Sequence, residues 1–539
     1  MKRKILLIIG VLFTSFYGFS QVANYTENQL QNTSSSSTLF EQDLPYEAGL
    51  NKELTFYAFF ITQGVSTNMY PESSLFNGQL VGRLFGQNSS TTSSSKTSYY
   101  GEQRLIPFFI YEPKLFKGKA LLRASFEIDW TWGDQAYGVG GNKGGALSGD
   151  QVNIQTQNVE IEFIPAKGWA INVGLQRLYD TPFNPYRTFF DKMTYTGYRL
   201  AYWGSDAVGI SVRRNTDLSK LKLGYYKLYE NSTELSDDVT LLEFFYRRKL
   251  PKYWNVGASV YGILDRGKNT GGVSVFGQGL TSVLTAYNGA YLFNFGTNDY
   301  TADIYWLGTF FSRNPDFIMD RYQLSGFFSY NLGHVNVNQE GWEDGVDVSG
   351  FALNARGAYR YGQTLNDYVS VDYVYSSGDP NGISDGKYTG VITGNTWGLP
   401  ASIFISSGAY LLFPHINVVN RFTPVVSDLS NMGYGLNAFT LNAHHDIIPH
   451  KLNIKIGMAQ GFSNVVPQNG GSNIGTELNA AIKYKLGAFM SVELHGANMW
   501  LGEFFDSNDS NYSSDINGSY DVRPPNPWTV FIVYKWLLF

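Results

Sequence analysis

The sequence predicts an all-β protein, a single large antiparallel transmembrane β-barrel of roughly 16–18 strands. Three observations predict it. From about Lys52 onward, segments of roughly 9–14 residues alternate apolar and polar positions, as tilted membrane strands do. The connections between them come in two sizes, short and long. The composition is rich in aromatics and glycine, with 38 Tyr, 38 Phe, 11 Trp and 57 Gly against 18 Pro. Mean hydropathy is near neutral at −0.19, as expected when one face of each strand meets lipid and the other water.

The chain opens with Met1-Lys2-Arg3-Lys4, then an almost wholly apolar run from Ile5 to Phe16, then small residues at Gly18 and Ser20. This is the layout of a secretory signal peptide, residues 1–20, with cleavage after Ser20. Without a cysteine after that site a lipidated N-terminus is excluded. Residues 21–50 are polar, with a serine run at Ser34–Ser37, and read as a periplasmic extension. Residues 51–539 form the barrel. No later apolar run is long enough for a spanning helix, so a membrane location requires a barrel. Cysteine is absent, which removes disulfides, thiolate metal sites and a Cys nucleophile. The net charge of −5 gives no support to a nucleic-acid partner.

Alternation is clearest in four places. Leu122, Ala124, Phe126, Ile128, Trp130 and Trp132 share one face, with Arg123, Ser125, Glu127, Asp129 and Thr131 on the other. Val159, Ile161 and Phe163 oppose Asn158, Glu160 and Glu162. Leu452, Ile454, Ile456 and Met458 oppose Lys451, Asn453, Lys455 and Gly457. Thr476, Leu478, Ala480, Ile482, Tyr484 and Leu486 oppose Gly475, Glu477, Asn479, Ala481, Lys483 and Lys485. Pro165–Gly168, Leu250–Lys252, Ile448–Lys451 and Leu486–Ala488 read as periplasmic turns. Gly86–Tyr99, Gly133–Gln155, Tyr179–Arg199, Asp265–Tyr287, Gly378–Pro400, Ser463–Asn473 and Asp506–Pro527 read as long, solvated extracellular loops.

Fixing the phase by the apolar face puts Arg123, Glu127, Asp129, Glu160, Glu162, Glu243, Arg247, Arg356, Arg360, Asp372, Lys455, Glu477, Lys483 and Glu493 in the lumen, because charge facing lipid is costly. They are candidates for a pore lining that selects solutes, or for ion pairs that brace the wall. The aromatics Trp130, Trp132, Tyr225, Tyr226, Tyr229, Phe244, Phe245, Tyr246, Tyr359, Tyr361, Tyr373 and Tyr375 read mainly as lipid-facing wall and interfacial girdle. His444 and His445 point to opposite strand faces and, with Asp446 and His450, match no zinc spacing. Gly-x-Ser-x-Gly, HExxH and Walker sequences are absent. No enzyme, cofactor or metal is expected.

The last strand, from Trp528 to a terminal Phe539, resembles the signal read by the outer-membrane assembly machinery. Lys535 departs from that signal, and a lysine there can snorkel to the membrane boundary. Asn172-Val173-Gly174-Leu175-Gln176-Arg177 resembles the Gly-Arg-Gln strand of the alginate-export family of outer-membrane porins, with Leu175 in place of the first Arg. Gly197-Tyr198-Arg199-Leu200, Tyr375-Ser376-Ser377-Gly378-Asp379 and Gly475-Thr476-Glu477-Leu478-Asn479 are similar to three further segments of that family, in the same order. The resemblance implies a large monomeric barrel that lets a hydrophilic solute, such as an anionic polysaccharide, diffuse out or in. Arg177, Arg199, Arg356 and Arg360 are the expected solute contacts, as charge-assisted donors. The expected partners are outer-membrane lipid, that solute and the assembly machinery. A structural barrel in a secretion, gliding or adhesion complex is the alternative.

Overall fold

The computed structural model describes residues 53–71, 84, 90–132, 153–178, 206–230, 233–234, 236–268, 289–296, 298–338, 344–392, 408–413, 424–507 and 523–538. The signal peptide and the extension at 21–50 lie outside the described residues.

A closed barrel of 18 antiparallel strands accounts for most of the described chain. The first six are β1 (Leu54–Thr67), β2 (Ser98–Tyr111), β3 (Ala120–Thr131), β4 (Asn153–Phe163), β5 (Trp169–Arg177) and β6 (Asp206–Asn215). Next come β7 (Ser219–Tyr229), β8 (Val239–Leu250), β9 (Trp254–Asp265), β10 (Tyr300–Arg313), β11 (Tyr322–Val337) and β12 (Val346–Arg360). The last are β13 (Tyr368–Ser376), β14 (Leu436–Ile448), β15 (Leu452–Phe462), β16 (Asn473–Gly487), β17 (Met490–Leu501) and β18 (Trp528–Leu538). Each strand pairs with its sequence neighbours. The sheet closes where β1 pairs β18 from Ala58↔Leu538 to Thr67↔Thr529. Closure leaves no unpaired edge, the condition for strands to cross lipid.

The four turns expected from sequence all join consecutive strands: 164–168, 251–253, 449–451 and 488–489. At the turn between β10 and β11, a hydrogen bond from Arg313 is the main cause that holds the Asp320 carboxyl below its ordinary range. The strand ends that the long connections join are the opposite ones.

Burial follows the expected two-residue period. Along β16, Glu477, Asn479 and Ala481 are buried while Leu478, Ala480 and Ile482 are exposed. The exposed side of the wall carries a wide apolar surface, including Val159, Ile161, Ile210, Leu223, Leu441, Ile456, Leu494 and Ile532, as a lipid-facing wall requires. Tyr226 and Phe245, read from sequence as wall aromatics, instead face inward and are buried. Lys535 does not snorkel. It lies on the inner face of β18, where its ammonium meets Glu493 at 3.0 Å.

The interior is the main departure from expectation. An empty barrel of this strand count would leave an aqueous channel. Here segments 289–296, 379–392, 408–413 and 424–435 pack against the inner wall as one apolar core with wall residues Tyr226, Phe245, Tyr261, Trp306 and Phe310. Tyr291 and Tyr388 stack at 4.4 Å, and burial raises the Tyr291 phenol well above its ordinary value. Lys387–Tyr388 adds a short parallel bridge to Asp347–Val348 of β12. The Trp306 indole donates to Ile392 O at 2.6 Å, and Ile392 N donates to Asn331 Oδ1 at 3.0 Å. The described part of Gly378–Pro400, expected as a solvated loop, is therefore folded inward. The reason is hydrophobic: Ile383, Tyr388, Val391 and Ile392 would otherwise lie in water.

Ile456 stands mid-strand on the exposed face, 64% exposed, paired with Ala443 and Ala480. If that face meets lipid, Ile456→Arg should destabilise the barrel by about 2–4 kcal/mol in denaturant unfolding from lipid vesicles. A change within ~0.5 kcal/mol, typical of a water-exposed position, would reject the lipid-facing assignment.

Candidate functional site

Strands β3 to β6 bring the first group of inner charges together. The Arg123 guanidinium donates to both Glu162 carboxylate oxygens, at 3.0 and 3.3 Å. Arg213, two strands further on, donates to the same carboxylate at 2.6 Å. Asn172 Nδ2 bridges Glu160 and Glu162 at 3.0 and 3.1 Å. Arg123 also lies 3.7 Å from Glu160. Glu162 has no exposed surface and Arg123 has none either. A buried carboxylate between two guanidinium groups is stable only because the donors replace its water.

Three further groups follow around the wall. Glu243 of β8 accepts from the Tyr226 and Tyr261 hydroxyls at 2.7 Å each and meets Lys222 at 3.1 Å. Arg356 of β12 donates to Asp372 of β13 at 3.2 Å, cross-strand partners in the register. Glu493 of β17 gathers Lys483 at 3.1 Å, Lys535 at 3.0 Å and the His495 Nε2 at 3.1 Å.

Glu477 differs from these because its partners are backbone. Its carboxylate accepts N–H bonds from Tyr410, Leu411 and Leu412 at 2.7, 2.9 and 2.7 Å, and from Asn479 Nδ2 at 2.7 Å. Lys455 Nζ donates to Gly408 O and, at 2.8 Å, to Asn479 Oδ1. The Tyr410 ring lies 4.2 Å from Lys455 Nζ, and its hydroxyl is 3.1 Å from His495 Nδ1. His495 stacks on Phe531 at 4.6 Å.

Of the residues picked from sequence, Arg123, Glu160, Glu162, Glu243, Arg247, Arg356, Asp372, Lys455, Glu477 and Glu493 are inward and buried. Lys483 and Arg360 are inward and half-buried. Arg199 lies outside the described residues, and nothing is described of the side chains of Glu127, Asp129 and Arg177. Sequence reasoning did not place Arg213, Lys222, His495 or Lys535 on the inner face, and took Lys535 for a residue that snorkels to the membrane boundary. Each sits in phase with an apolar outer face, such as Val208, Ile210 and Val212 for Arg213, so the same alternation could have found them. It also missed three carboxylates at one end of β7 and β8. Glu230, Asp237 and Asp238 have ligand atoms within 4.8 Å of one another. Lys227 already pairs with Asp238 there.

A closed 18-strand barrel with an apolar outer face and a charged inner one has the architecture of an outer-membrane β-barrel. Comparison with protein-family models finds no match, and none of the curated proteins matches. Among solved structures the chain is similar to OccK8 (OprE) of Pseudomonas aeruginosa, with 9% identity, TM-score 0.46, 90% of this chain and 98% of that one covered. It is similar to OccAB4 of Acinetobacter baumannii, with 10% identity, TM-score 0.45 and the same 90% and 98% coverage. For OccK11 (OpdR) of Pseudomonas aeruginosa the values are 10%, 0.43, 93% and 100%. Strand count and closure here rest on the register of this chain alone.

Glu162→Gln leaves two buried guanidinium groups without a full counter-charge. It should destabilise the barrel by about 3–5 kcal/mol in denaturant unfolding. A loss under ~1 kcal/mol would mean that water reaches the group and screens it.

Proposed function

We propose that this chain is an outer-membrane channel for passive diffusion of a hydrophilic solute and not an enzyme. One observation carries the reading: the wall is closed, apolar outside and lined inside by charged and amide groups from every quarter of the circumference. Such an inner face serves a structural wall as well, and most of its charges are engaged in ion pairs. The channel reading is favoured because the inner charges are not all sealed. Lys483, with 39% of its side chain exposed, and half-buried Arg360 are inner cationic side chains only partly covered, near the short-turn end.

The solute is then small and anionic. A long polysaccharide, as the alginate-export resemblance implies, needs a wide path, and the inward segments narrow this one. Arg356, an expected solute contact, is held by Asp372 and buried, which leaves that role to Arg360, also an expected contact, and adds Lys483 to it. The start of the chain supplies the secretory address, and its aromatic last strand engages the assembly machinery.

The test is the reversal potential of refolded protein in a planar bilayer under a potassium chloride gradient. The wild type should prefer chloride, and Lys483→Gln with Arg360→Gln should move the reversal potential toward potassium. An unchanged potential would place both residues away from the ion path. Liposome swelling should pass small organic anions and exclude oligosaccharides. Free passage of oligosaccharides would overturn the small-solute reading.

A further inference from the structure

We infer that Glu477 is a positioning residue that latches the segment Gly408–Leu412 onto the inner wall and so sets the width of the path. The inference rests on the channel reading above.

The geometry is specific. Three successive N–H groups, of Tyr410, Leu411 and Leu412, converge on one carboxylate. The carboxylate has no exposed surface, so no solute reaches it while the segment is seated. On the other side of Asn479, Lys455 donates to Gly408 O, so the wall grips the segment at both polar ends. Asn479 ties the two grips together, accepting from Lys455 and donating to Glu477. At the near end a Cβ on Gly408 would meet the side-chain amide of Asn442, which would have to move aside. The Tyr410 ring fills the space between Lys455, His495 and Phe531.

The latch also orders what lies above it. Leu411 O and Leu412 O accept from Val425 N at 2.7 Å and Val426 N at 3.0 Å. Releasing the carboxylate therefore frees a layer that includes 424–426 as well as the segment itself. Charge-assisted bonds from backbone N–H to a carboxylate are stronger than neutral ones, and a buried acceptor cannot exchange them for water. Four other buried carboxylates of the wall, Glu162, Glu243, Asp372 and Glu493, are engaged by side chains of neighbouring strands. Those brace the cylinder. Glu477 holds something within it.

The chain has no cysteine, so one introduced thiol reports on the segment without background. Ala409 is fully buried, and Ala409→Cys changes little volume. In the folded barrel that thiol should react very slowly with a maleimide. Adding Glu477→Gln should speed labelling on the order of tenfold, the effect of losing a charge-assisted bond. Leu411→Pro, which removes one N–H and leaves the wall intact, should do the same, and covers the case in which Glu477→Gln does not fold. Labelling unchanged by both variants would overturn the latch.

Bilayer recording of the same variants separates the two readings. Both should raise the unitary conductance above wild type. Faster labelling with no conductance in any variant would keep the latch and reject the channel. Normal conductance with unchanged labelling would keep the channel and reject the latch.

Discussion

The constraint on which everything else depends is that a wall in lipid must satisfy its own backbone. Each of the 18 wall strands pairs on both sides, and the pairing of β1 with β18 completes the ring. Once the ring is closed, side-chain direction follows from the pleat. Odd and even positions separate into a face for lipid and a face for the interior. The apolar exterior and the charged interior are then one consequence, not two designs.

The interior faces a second constraint. Charges brought inside a barrel must stay solvated or find partners, because an unpaired buried charge is far more costly than a paired one. This chain does both. Between β3 and β6 it builds a shared site for Arg123, Arg213 and Glu162. At the short-turn end of β16 it leaves Lys483 half-open beside Glu493. Between these extremes, the inward segments replace water with backbone donors and apolar side chains. The lumen is thus a graded interior, packed in one part and open to charge in another.

Much of this was legible in the sequence. The period-two pattern of residues 158–163, 452–458 and 475–486 placed Glu160, Glu162, Lys455, Glu477 and Lys483 on the inner face, since a one-residue slip would turn Ile161 or Ile482 inward and Glu162 or Lys483 into lipid. The short turns were legible from Pro, Gly and Lys between two alternating runs. The inward segments were not, because a loop that packs inside a barrel obeys no strand period. A trace was present: Tyr291–Phe295 and Ala409–Phe413 are apolar runs where an extracellular loop should be polar. Inward apolar positions, Phe245, Trp306 and Phe310, were the complementary signal on the wall. Lys535 was misread because position relative to the terminus was weighed above its phase in β18.

The central claim is that a closed barrel of this size carries a path narrowed by its own inward segments. The most direct test is the size of the unitary conductance step of the refolded wild-type protein in a planar bilayer at high salt. The account predicts discrete, uniform steps well below those of an unobstructed barrel of the same strand count. Steps of unobstructed size would contradict the packed interior, and complete silence of correctly folded protein would contradict the channel.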